Sequence, residues 1–327
     1  MSAEPIATRT TAGNRRRSRP SSHGTGVLYG LGAYGLWGGF PLYFTLLAPA
    51  GPWEIVAHRI AWSMVFCTVL LVASGGLTRL WERLRDRRTL IAVALGGLFV
   101  SVNWTLYLIA VTSDQIADAA LGYFMNPLVS VALGLVVLRE RLRPLQGFAV
   151  GIAALGAVYL SVQAHSVPVL PLGLAFSFGL YGLVKNRVGA HLTALESLTA
   201  ETVCIAPVAA VMLFWVAVQG QTTFGVLSAG HTALLISTGV VTAVPLLMFA
   251  AAARRVTLVT IGLMQFLAPI LQFATALLLG EQLSQARWIG FGIIWAAVGV
   301  LVVDMMRASW HRSIALTRPS PRSDTNV

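Results

Sequence analysis

From Leu121 to Leu160 the chain reads LGYFMNPLVSVALGLVVLRERLRPLQGFAVGIAALGAVYL. An altered copy runs from Ile261 to Val302, where the sequence is IGLMQFLAPILQFATALLLGEQLSQARWIGFGIIWAAVGVLV. Pro127 of the first copy corresponds to Pro269 of the second, a shift of 142 positions (269 minus 127). Because each copy occupies a corresponding part of its half of the chain, the duplication predicts two related units, each about half of the protein.

The composition of the 327-residue chain indicates an integral membrane protein. Hydrophobic residues make up 56% and charged residues 11% of the chain, and its mean hydropathy is +0.75. A soluble domain contains about 25% charged residues. Apolar runs of about 20 residues, long enough to cross a hydrocarbon core of about 30 Å, recur along the chain. Helices are expected because lipid offers no partner to an open backbone N–H or C=O group, and the short alternating strands of a barrel are absent.

The apolar runs predict ten transmembrane helices in an all-α membrane protein. They are placed at Gly26–Leu47, Ile55–Ser74, Leu90–Val111, Ala117–Leu138, Leu145–Val162, Val167–Val184, Leu198–Val218, Thr232–Ala253, Leu258–Leu279 and Trp288–Met306. The first five form one predicted unit (residues 26–162) and the last five form the second (residues 163–306). Residues 1–25 and 307–327 are polar and basic, which predicts two disordered cytoplasmic tails, and the first tail lacks the pattern of a cleaved signal.

The net charge of +11 comes from basic residues whose placement indicates membrane topology and not a nucleic-acid-binding surface. The basic residues form short clusters between apolar segments, and all but two of the 23 fall on one side of the predicted membrane. The exceptions are Arg59 and Arg287. By the positive-inside rule that side is cytoplasmic, so both termini are expected on the cytoplasmic side of the inner membrane. The clusters occupy residues 9–19, 79–88, 139–143, 185–187, 254–255 and 307–322.

The two units are predicted to have opposite orientations in the membrane. An odd number of helices separates the two copies of the repeat, so the second copy enters the bilayer upside down. Glu140 then ends its helix at the cytoplasmic face, and its counterpart Glu281 ends its helix at the outer face. Both carboxylates are expected to cap helices or to pair with neighbouring arginines. Inverted repeats of this kind are common in secondary transporters.

Several motifs resemble one transporter family. They are AYGLWGGFPLYF near the start, EIVAHR at the head of helix 2, NW at Asn103–Trp104, LGYFMNPL, LRERLRPLQ, SFGLYGL and VVTAVPLLMFAAAARR. Two five-helix EamA repeats with these motifs resemble the RarD subgroup of the drug/metabolite transporter superfamily, over nearly all of residues 26–306. The resemblance implies permease activity without naming the natural cargo. RarD-type proteins take their name from an association with chloramphenicol sensitivity.

Arg59 is the most informative single residue, because a charge inside a membrane helix is costly and usually faces a cavity or a partner. The functional interpretation is an anion-attracting or gating group at the outer mouth, with His58 beside it. The alternative is that Arg59, predicted to lie about one turn from the outer end of helix 2, extends its charge to the interface.

Glu201 is the counterpart of Arg59 in the second unit, at the same shift of 142 positions. It is predicted to lie near the inner mouth, where it could bind and release a proton. The alternative is a solvated carboxylate at a helix start, favoured by the helix dipole. Because the two counterparts should lie on opposite sides of the bilayer, an Arg59–Glu201 salt bridge is not expected.

Polar side chains at mid-membrane predict a cavity lined by helices 1, 3, 4, 6, 8 and 9. The alternative is hydrogen bonding between helices. The candidates are Asn103 and Tyr107 on helix 3, Tyr123, Asn126 and Ser130 on helix 4, and Gln265 and Gln272 on helix 9.

Three aromatic residues, Trp37, Trp104 and Tyr181, could stack on a planar or cationic substrate, although packing explains such residues equally well. Prolines interrupt four helices where alternating access would need bends, with static kinks as the alternative: Pro41, Pro127, Pro245 and Pro269. Small residues spaced by four, Gly147/Gly151 and Gly292/Ala296, predict close packing of helices 5 and 10 as a scaffold or dimer surface.

The sequence therefore predicts a secondary transporter that moves a small metabolite or drug-like solute by alternating access, with ion coupling as a hypothesis. Its expected partners are that solute, the lipid bilayer and, as an open question, a second copy of the chain. A lipid or glycan-carrier flippase of the same fold and a non-transporting scaffold are the alternatives. A membrane enzyme is not expected, nor is a cofactor or metal, because the six histidines are scattered and Cys67 and Cys204 each lie inside an apolar run.

Overall fold

The computed structural model of the chain is helical throughout the part that it describes. That part comprises residues 22–112, 116–163, 169–188 and 191–278, and, in the last segment, 285–286, 288–290, 292–293, 295–301 and 303–304. Among these residues there is no strand. The prediction of an all-α protein is confirmed. Glu281, Arg287 and the two predicted tails, apart from residues 22–25, lie outside the described residues.

Twelve helices precede the last segment, and they are numbered here in chain order. They are α1 (Ser22–Gly38), α2 (Phe40–Thr45), α3 (Pro52–Ala73), α4 (Leu77–Leu84), α5 (Arg87–Thr112), α6 (Ile116–Val137), α7 (Pro144–Gln163), α8 (Val169–Val188), α9 (Ala194–Val218), α10 (Ala229–Ala253), α11 (Leu258–Gln265) and α12 (Leu267–Leu278). Since α1 begins at Ser22, residues 22–25 belong to it and not to a disordered tail.

Six of these helices, α3, α5, α7, α8, α9 and α10, are long and apolar enough to span a bilayer. Shorter apolar helices cover Leu121–Val137, Leu258–Leu271 and Trp288–Leu301. Large apolar side chains such as Phe214, which is 71% exposed, cover the outside of the bundle. An outer surface of this kind requires lipid. The multi-pass membrane fold is confirmed, whereas the count of ten crossings remains a prediction.

The first predicted helix is broken into α1 and α2. Pro41 stands in the first turn of α2 and has no N–H to continue the helical ladder. Gly39 instead donates its amide to the carbonyl of Leu36 at 3.1 Å, the tighter spacing of a helix end. The axis can therefore change direction at Gly39, next to Trp37.

The ninth predicted helix is also broken, between α11 and α12 at Phe266. Pro269 follows the break by three positions, and Pro41 follows Gly39 by two in the first helix. Pro127, the counterpart of Pro269, lies inside α6, which continues without interruption, and Pro245 lies inside the continuous α10. The same proline signal thus accompanies a break in one repeat and an intact helix in the other.

Two boundaries differ from the prediction on the basic side of the bundle. The loop expected after helix 2 contains the short helix α4, which turns Leu80 inward while Trp81 remains 67% exposed. Helix α8 runs on to Val188, so Lys185 lies inside the helix and is buried. Counting Lys185 as a loop charge was wrong, because a partner within the bundle compensates it.

Several helices begin at a side-chain cap. Thr193 and Glu196 form a reciprocal capping box at the start of α9, and Ser228 caps α10. Asp86 accepts hydrogen bonds from the amide and hydroxyl of Thr89 at the start of α5. These bonds, the hydroxyl bond first, hold the pKa of Asp86 below its ordinary value, because they stabilise the ionised carboxylate.

Contacts between the two units close one end of the bundle, which we call the basic end. Here Arg83 of α4 donates to Glu196 of α9 at 2.9 Å. The carboxylate of Glu140 accepts the backbone amides of α11 at 2.9 and 2.8 Å. Glu140 therefore caps a helix, as predicted, and the helix that it caps belongs to the second unit.

A second set of contacts closes the other end, which we call the opposite end. Glu54, in the first turn of α3, accepts the backbone amides of Thr223 and Phe224 at 2.8 and 2.9 Å. The hydroxyl of Tyr43 lies 2.7 Å from that of Ser237 on α10. Both contacts join the first unit to the second.

The helices cross most closely where glycine leaves room. A Cβ atom added to Gly239 of α10 would lie 2.6 Å from the carbonyl oxygen of Trp62 on α3, so backbone approaches backbone there. Close packing at Gly147, Gly151 and Gly292 is not seen within the described part of the chain, and a dimer surface at these positions remains a prediction. A Cβ atom at each of these positions would meet no heavy atom within 4 Å.

Candidate functional site

Arg59 occupies the interior of the bundle. Because α3 begins at Pro52, Arg59 lies two turns into the helix, about 10 Å along its axis, and not one turn as predicted. The residue is 9% exposed. An arginine that extended its charge to the interface would be far more exposed, so the structure does not support that alternative.

Four side chains from three other helices surround the guanidinium. Its Nε donates to the hydroxyl of Thr242 on α10 at 3.0 Å. Its Cζ lies 5.2 Å from the ring centroid of Trp104 on α5 and 5.3 Å and 5.8 Å from those of Phe44 and Phe40 on α2. We call this group of five residues the Arg59 cage. Ring faces attract a cation at such distances, by about 0.5–2 kcal/mol each.

The positive charge of Arg59 has no protein counter-ion in the described part of the chain. No carboxylate oxygen there lies within 4.0 Å of the guanidinium. Thr242 is its one hydrogen-bond partner among those residues. Neither of its two terminal nitrogens donates a hydrogen bond to a described residue.

The aromatic candidates divide into two groups around the cage. The rings of Tyr107 and Tyr123 pair at 6.0 Å between centroids. Deeper in the bundle, Trp37 packs against Phe178 and Phe249, with both centroid distances 5.8 Å.

The remaining aromatic predictions concern stacking on a substrate. Tyr181 is fully buried and stacked on Phe249, with 12° between the ring planes. A face of Trp104 is already covered by the Arg59 guanidinium. A cationic solute therefore cannot stack on that face of Trp104, and neither Tyr181 nor this face offers the free platform that the sequence suggested.

Glu201 forms a buried ion pair near the basic end. Its Oε1 lies 2.7 Å from Nζ of Lys185, and both side chains are 1% exposed. The hydroxyl of Ser197 donates to the same carboxylate at 2.8 Å, and that of Tyr181 donates at 3.3 Å. Lys185 also donates to Ser197 at 2.9 Å.

This arrangement decides between the alternatives for Glu201. A solvated carboxylate at a helix start is wrong, because Glu201 lies two turns inside α9 and is enclosed. The structure pairs it with Lys185 and not with Arg59, as expected for counterparts at different ends of the bundle. Whether Glu201 exchanges a proton remains a proposal.

The mid-membrane polar residues make hydrogen bonds between helices. Asn103 donates to the carbonyl of Leu174 and to the hydroxyl of Ser177, at 3.0 and 3.1 Å. Ser130 donates to the side-chain carbonyl of Gln265 at 3.1 Å. These bonds match the packing alternative, and a role for the same residues in lining a cavity remains a proposal.

Asn126 and Gln272 are the two remaining members of the polar set. Asn126 is buried, and its side-chain oxygen has no hydrogen-bond partner among the described residues. An enclosed amide oxygen without a partner is unusual and leaves one acceptor free on α6. Gln272 lies in α12, and its side chain is outside the described part.

His58 belongs to the network that closes the opposite end. Its ring stacks on Phe224 with centroids 4.6 Å apart, and its Nδ1 accepts a hydrogen bond from the indole N–H of Trp62 at 3.2 Å. Its Nε2 lies 4.0 Å from a carboxylate oxygen of Glu54, which in turn holds Thr223. The His58 side chain therefore contacts the residues that close the opposite end and not those of the Arg59 cage.

Sequence reasoning missed several residues of the site. Lys185 was assigned to a loop, although GLVK continues the apolar run of its helix. Thr242 carried no signal, because threonine is common in apolar helices. Phe40 and Phe44 stood within a quoted motif, but only the bend at Gly39 brings them to Arg59. Metal chemistry has no support among the described residues, which contain no group of three His, Cys, Asp or Glu side chains.

Comparison with known proteins gives consistent matches along the chain. Residues 24–162 match the model of the EamA-like transporter family. Protein RarD of Streptomyces exfoliatus is 43% identical over 298 residues, which cover 91% of this chain and 94% of that protein. Protein RarD of Escherichia coli (strain K12) is 37% identical, covering 85% of this chain and 94% of that protein.

Two further matches extend the comparison. The uncharacterized transporter YojE of Bacillus subtilis (strain 168) is 39% identical, covering 88% of this chain and 96% of that protein. A solved crystal structure with 18% identity aligns with a TM-score of 0.65, over 87% of this chain and 98% of the other. At that identity the match supports the fold alone.

Proposed function

The chain belongs to the EamA-like transporter family as a RarD-type member, and we propose that it moves a small metabolite or drug-like solute across the membrane by alternating access. Membership makes it a multi-pass bacterial membrane transporter and not an enzyme. The energy source is a gradient and not ATP. The proposal rests on how the two units differ in conformation.

The observation that carries the proposal is the unequal shape of corresponding helices. The first and ninth predicted helices are broken, as α1/α2 and α11/α12, and they pack on each other. Their counterparts α8 and α6 are continuous, and they also pack on each other. Inverted repeats in different conformations can exchange them, which opens one end as it closes the other.

Closures between the units at both ends support the same mechanism. The contacts of Arg83 with Glu196 and of Glu140 with α11 hold the basic end, and those of Glu54 with Thr223 and of Tyr43 with Ser237 hold the opposite end. Each contact joins the first unit to the second. A rocking motion between the units must break one set while it keeps the other, so the solute is exposed to one side at a time.

The positive-inside rule orients this motion in the inner membrane. The basic end carries the arginine clusters, so we place it and both termini in the cytoplasm. The Lys185–Glu201 pair then lies towards the cytoplasmic side and the Arg59 cage towards the outer side. Both residues belong to the second unit, so opening of the cytoplasmic end would expose the pair to water without separating it, and Glu201, no longer fully desolvated, would exchange a proton with the cytoplasm.

Replacement of Glu201 by glutamine tests the coupling. We expect Glu201→Gln proteoliposomes to transport without any response to an imposed proton gradient, because the amide cannot titrate. The measurement is uptake of solutes from a small-molecule cell extract into proteoliposomes with and without a pH step, quantified by mass spectrometry. Glu82→Gln, which changes an exposed carboxylate on α4, is the matched control and should respond as the wild type does.

The outcomes separate the coupling from the transport itself. A Glu201→Gln variant that keeps the wild-type response to the proton gradient would remove the coupling proposal. Wild-type proteoliposomes that take up no solute beyond protein-free liposomes, with or without a gradient, would contradict the proposed function.

A further inference from the structure

We propose that the Arg59 cage binds the transported solute and that this solute is a small organic anion, with one carboxylate or similar acidic group and an apolar part. The inference rests on the proposed function and adds the chemical class of the substrate. It is carried by the geometry around Arg59 and by the comparison with the second buried cation, Lys185.

The charge balance inside the bundle identifies what the site lacks. The buried cation Lys185 has an internal counter-ion, since Glu201 lies 2.7 Å away. Arg59 is also buried, at 9% exposure against 2% for Lys185, yet no carboxylate of the described residues lies within 4.0 Å of it. An isolated charge in a low-dielectric site is strongly unfavourable until it is paired. An anionic solute is the partner that completes this site.

The orientation of the guanidinium favours an acidic group with two oxygens. Thr242 holds Nε at 3.0 Å and so fixes the plane of the guanidinium. Because that bond uses Nε and neither terminal nitrogen donates to a described residue, the two terminal nitrogens are the donors left for a ligand. A planar fork of N–H donors pairs with a carboxylate or a phosphate through two parallel hydrogen bonds. A single arginine matches one such group.

The rings around the cation describe the rest of the solute. Trp104, Phe44 and Phe40 come from two helices and cover the guanidinium within 5.8 Å. Tyr107 is on the same helix as Trp104 and pairs with Tyr123 of α6. These rings provide mainly apolar surface next to the charge, and the tyrosine hydroxyls and the indole N–H are the few hydrogen-bonding groups among them. The matching ligand carries its charge at one end and an apolar or aromatic group at the other.

A purely structural role for Arg59 makes a different prediction. If the rings and Thr242 were the whole environment that Arg59 requires, its replacement would change stability without changing which solutes are bound. The position of the cage supports a transport role, because it lies where α2, α3, α5 and α10 meet and beside the break at Gly39. Movement of α2 would open or close the cage.

The test compares solutes of different charge. A bacterial small-molecule extract is separated by ion exchange into acidic, neutral and basic fractions. Each fraction is offered to proteoliposomes and also to the full-length protein in an uncharged detergent, where no lipid phosphate competes. Uptake is measured by mass spectrometry, and binding is measured by the shift of the thermal unfolding midpoint. We expect both signals from the acidic fraction alone.

Variants connect these signals to the cage. Arg59→Gln should abolish the preference for acids, and Arg59→Lys should keep it with affinity weakened roughly ten- to hundred-fold, because the charge stays but the fork is lost. Arg85→Gln, which removes an exposed arginine, should behave as the wild type. If Arg59→Gln does not fold, the Arg59→Lys result decides.

Each outcome has one meaning. Stabilisation and uptake that come from neutral or basic solutes, or that Arg59→Gln or Arg59→Lys leaves unchanged, overturn the anion site. Such a result leaves the proposed transport function intact. Stabilisation by the acidic fraction that depends on Arg59, without uptake of any fraction, supports the anion site and contradicts the transport function.

Discussion

Replacement of Lys185 by methionine is expected to destabilise the protein by about 3–5 kcal/mol, because it leaves the Glu201 carboxylate buried without its counter-ion. The pair is enclosed, with both side chains 1% exposed, so neither water nor salt can compensate the carboxylate. Ser197 and Tyr181 would still donate to it, but hydroxyl groups do not neutralise a charge. The measurement is the thermal unfolding midpoint in detergent, scored against the wild type.

The stability of Lys185→Met is compared with that of a double variant and of a surface control. Lys185→Met combined with Glu201→Gln removes both charges, and it should recover most of the lost stability, since an uncharged pair needs no counter-ion. Arg85→Met removes an exposed arginine that has no ion-pair partner among the described residues, and it should change stability by no more than about 0.5 kcal/mol. A Lys185→Met midpoint equal to that of Arg85→Met would mean that the Lys185–Glu201 pair is not buried as described.

Replacement of Gly239 by valine is expected to separate α3 from α10 and to lower stability by an amount at or above the upper end of the roughly 1–3 kcal/mol typical of overpacking. An added Cβ would lie 2.6 Å from the carbonyl oxygen of Trp62, and backbone atoms cannot move aside as a flexible side chain can. The bond from Ser63 to the carbonyl of Gly239, 3.1 Å long, would be lost with the crossing. The thermal midpoint again measures the effect.

Gly151→Val is the matched control for Gly239→Val. Both glycines lie inside long apolar helices, but a Cβ at Gly151 would meet no heavy atom within 4 Å. Its replacement should change the midpoint little. Equal losses from the two variants would contradict the close crossing of α3 and α10, and would point instead to a general intolerance of bulk in these helices.

Much of the fold was accessible from the sequence because the bilayer restricts it so strongly. Apolar runs of the right length must be helices in lipid, so the existence of the long helices could be predicted and only their ends shifted. The repeat and the arginine clusters added the predicted inverted arrangement. Arg59 stood out because a charge inside an apolar run is rare.

The conformation of each repeat could not be predicted in the same way. Pro127 and Pro269 occupy corresponding positions, yet α6 is continuous and the helix around Pro269 is broken. The proline-containing sequence is compatible with both a continuous and a broken helix, and the structure shows which repeat has which form. Because both repeats carry the proline at the corresponding position, no local sequence signal tells the broken helix from the continuous one.

The site depended on contacts that are distant in the chain. The Arg59 cage joins residues up to 202 positions apart (242 minus 40), and no local pattern connects Phe40 with Thr242. Lys185 was misassigned because it stands near a helix end, where a basic residue normally marks a loop. Only its contact with Glu201 shows that its charge is used inside the bundle.

Cross-linking at the two ends tests the central claim, that the two units rock to expose the solute alternately. One protein carries Tyr43→Cys and Ser237→Cys at the opposite end, and another carries Arg83→Cys and Glu196→Cys at the basic end, both with Cys67 and Cys204 replaced by alanine. Solute uptake into proteoliposomes is measured before and after treatment with a short bifunctional thiol reagent, and again after reduction. The account predicts that a cross-link at either end stops uptake and that reduction restores it. Uptake that continues at the untreated rate with either end fully cross-linked would contradict it.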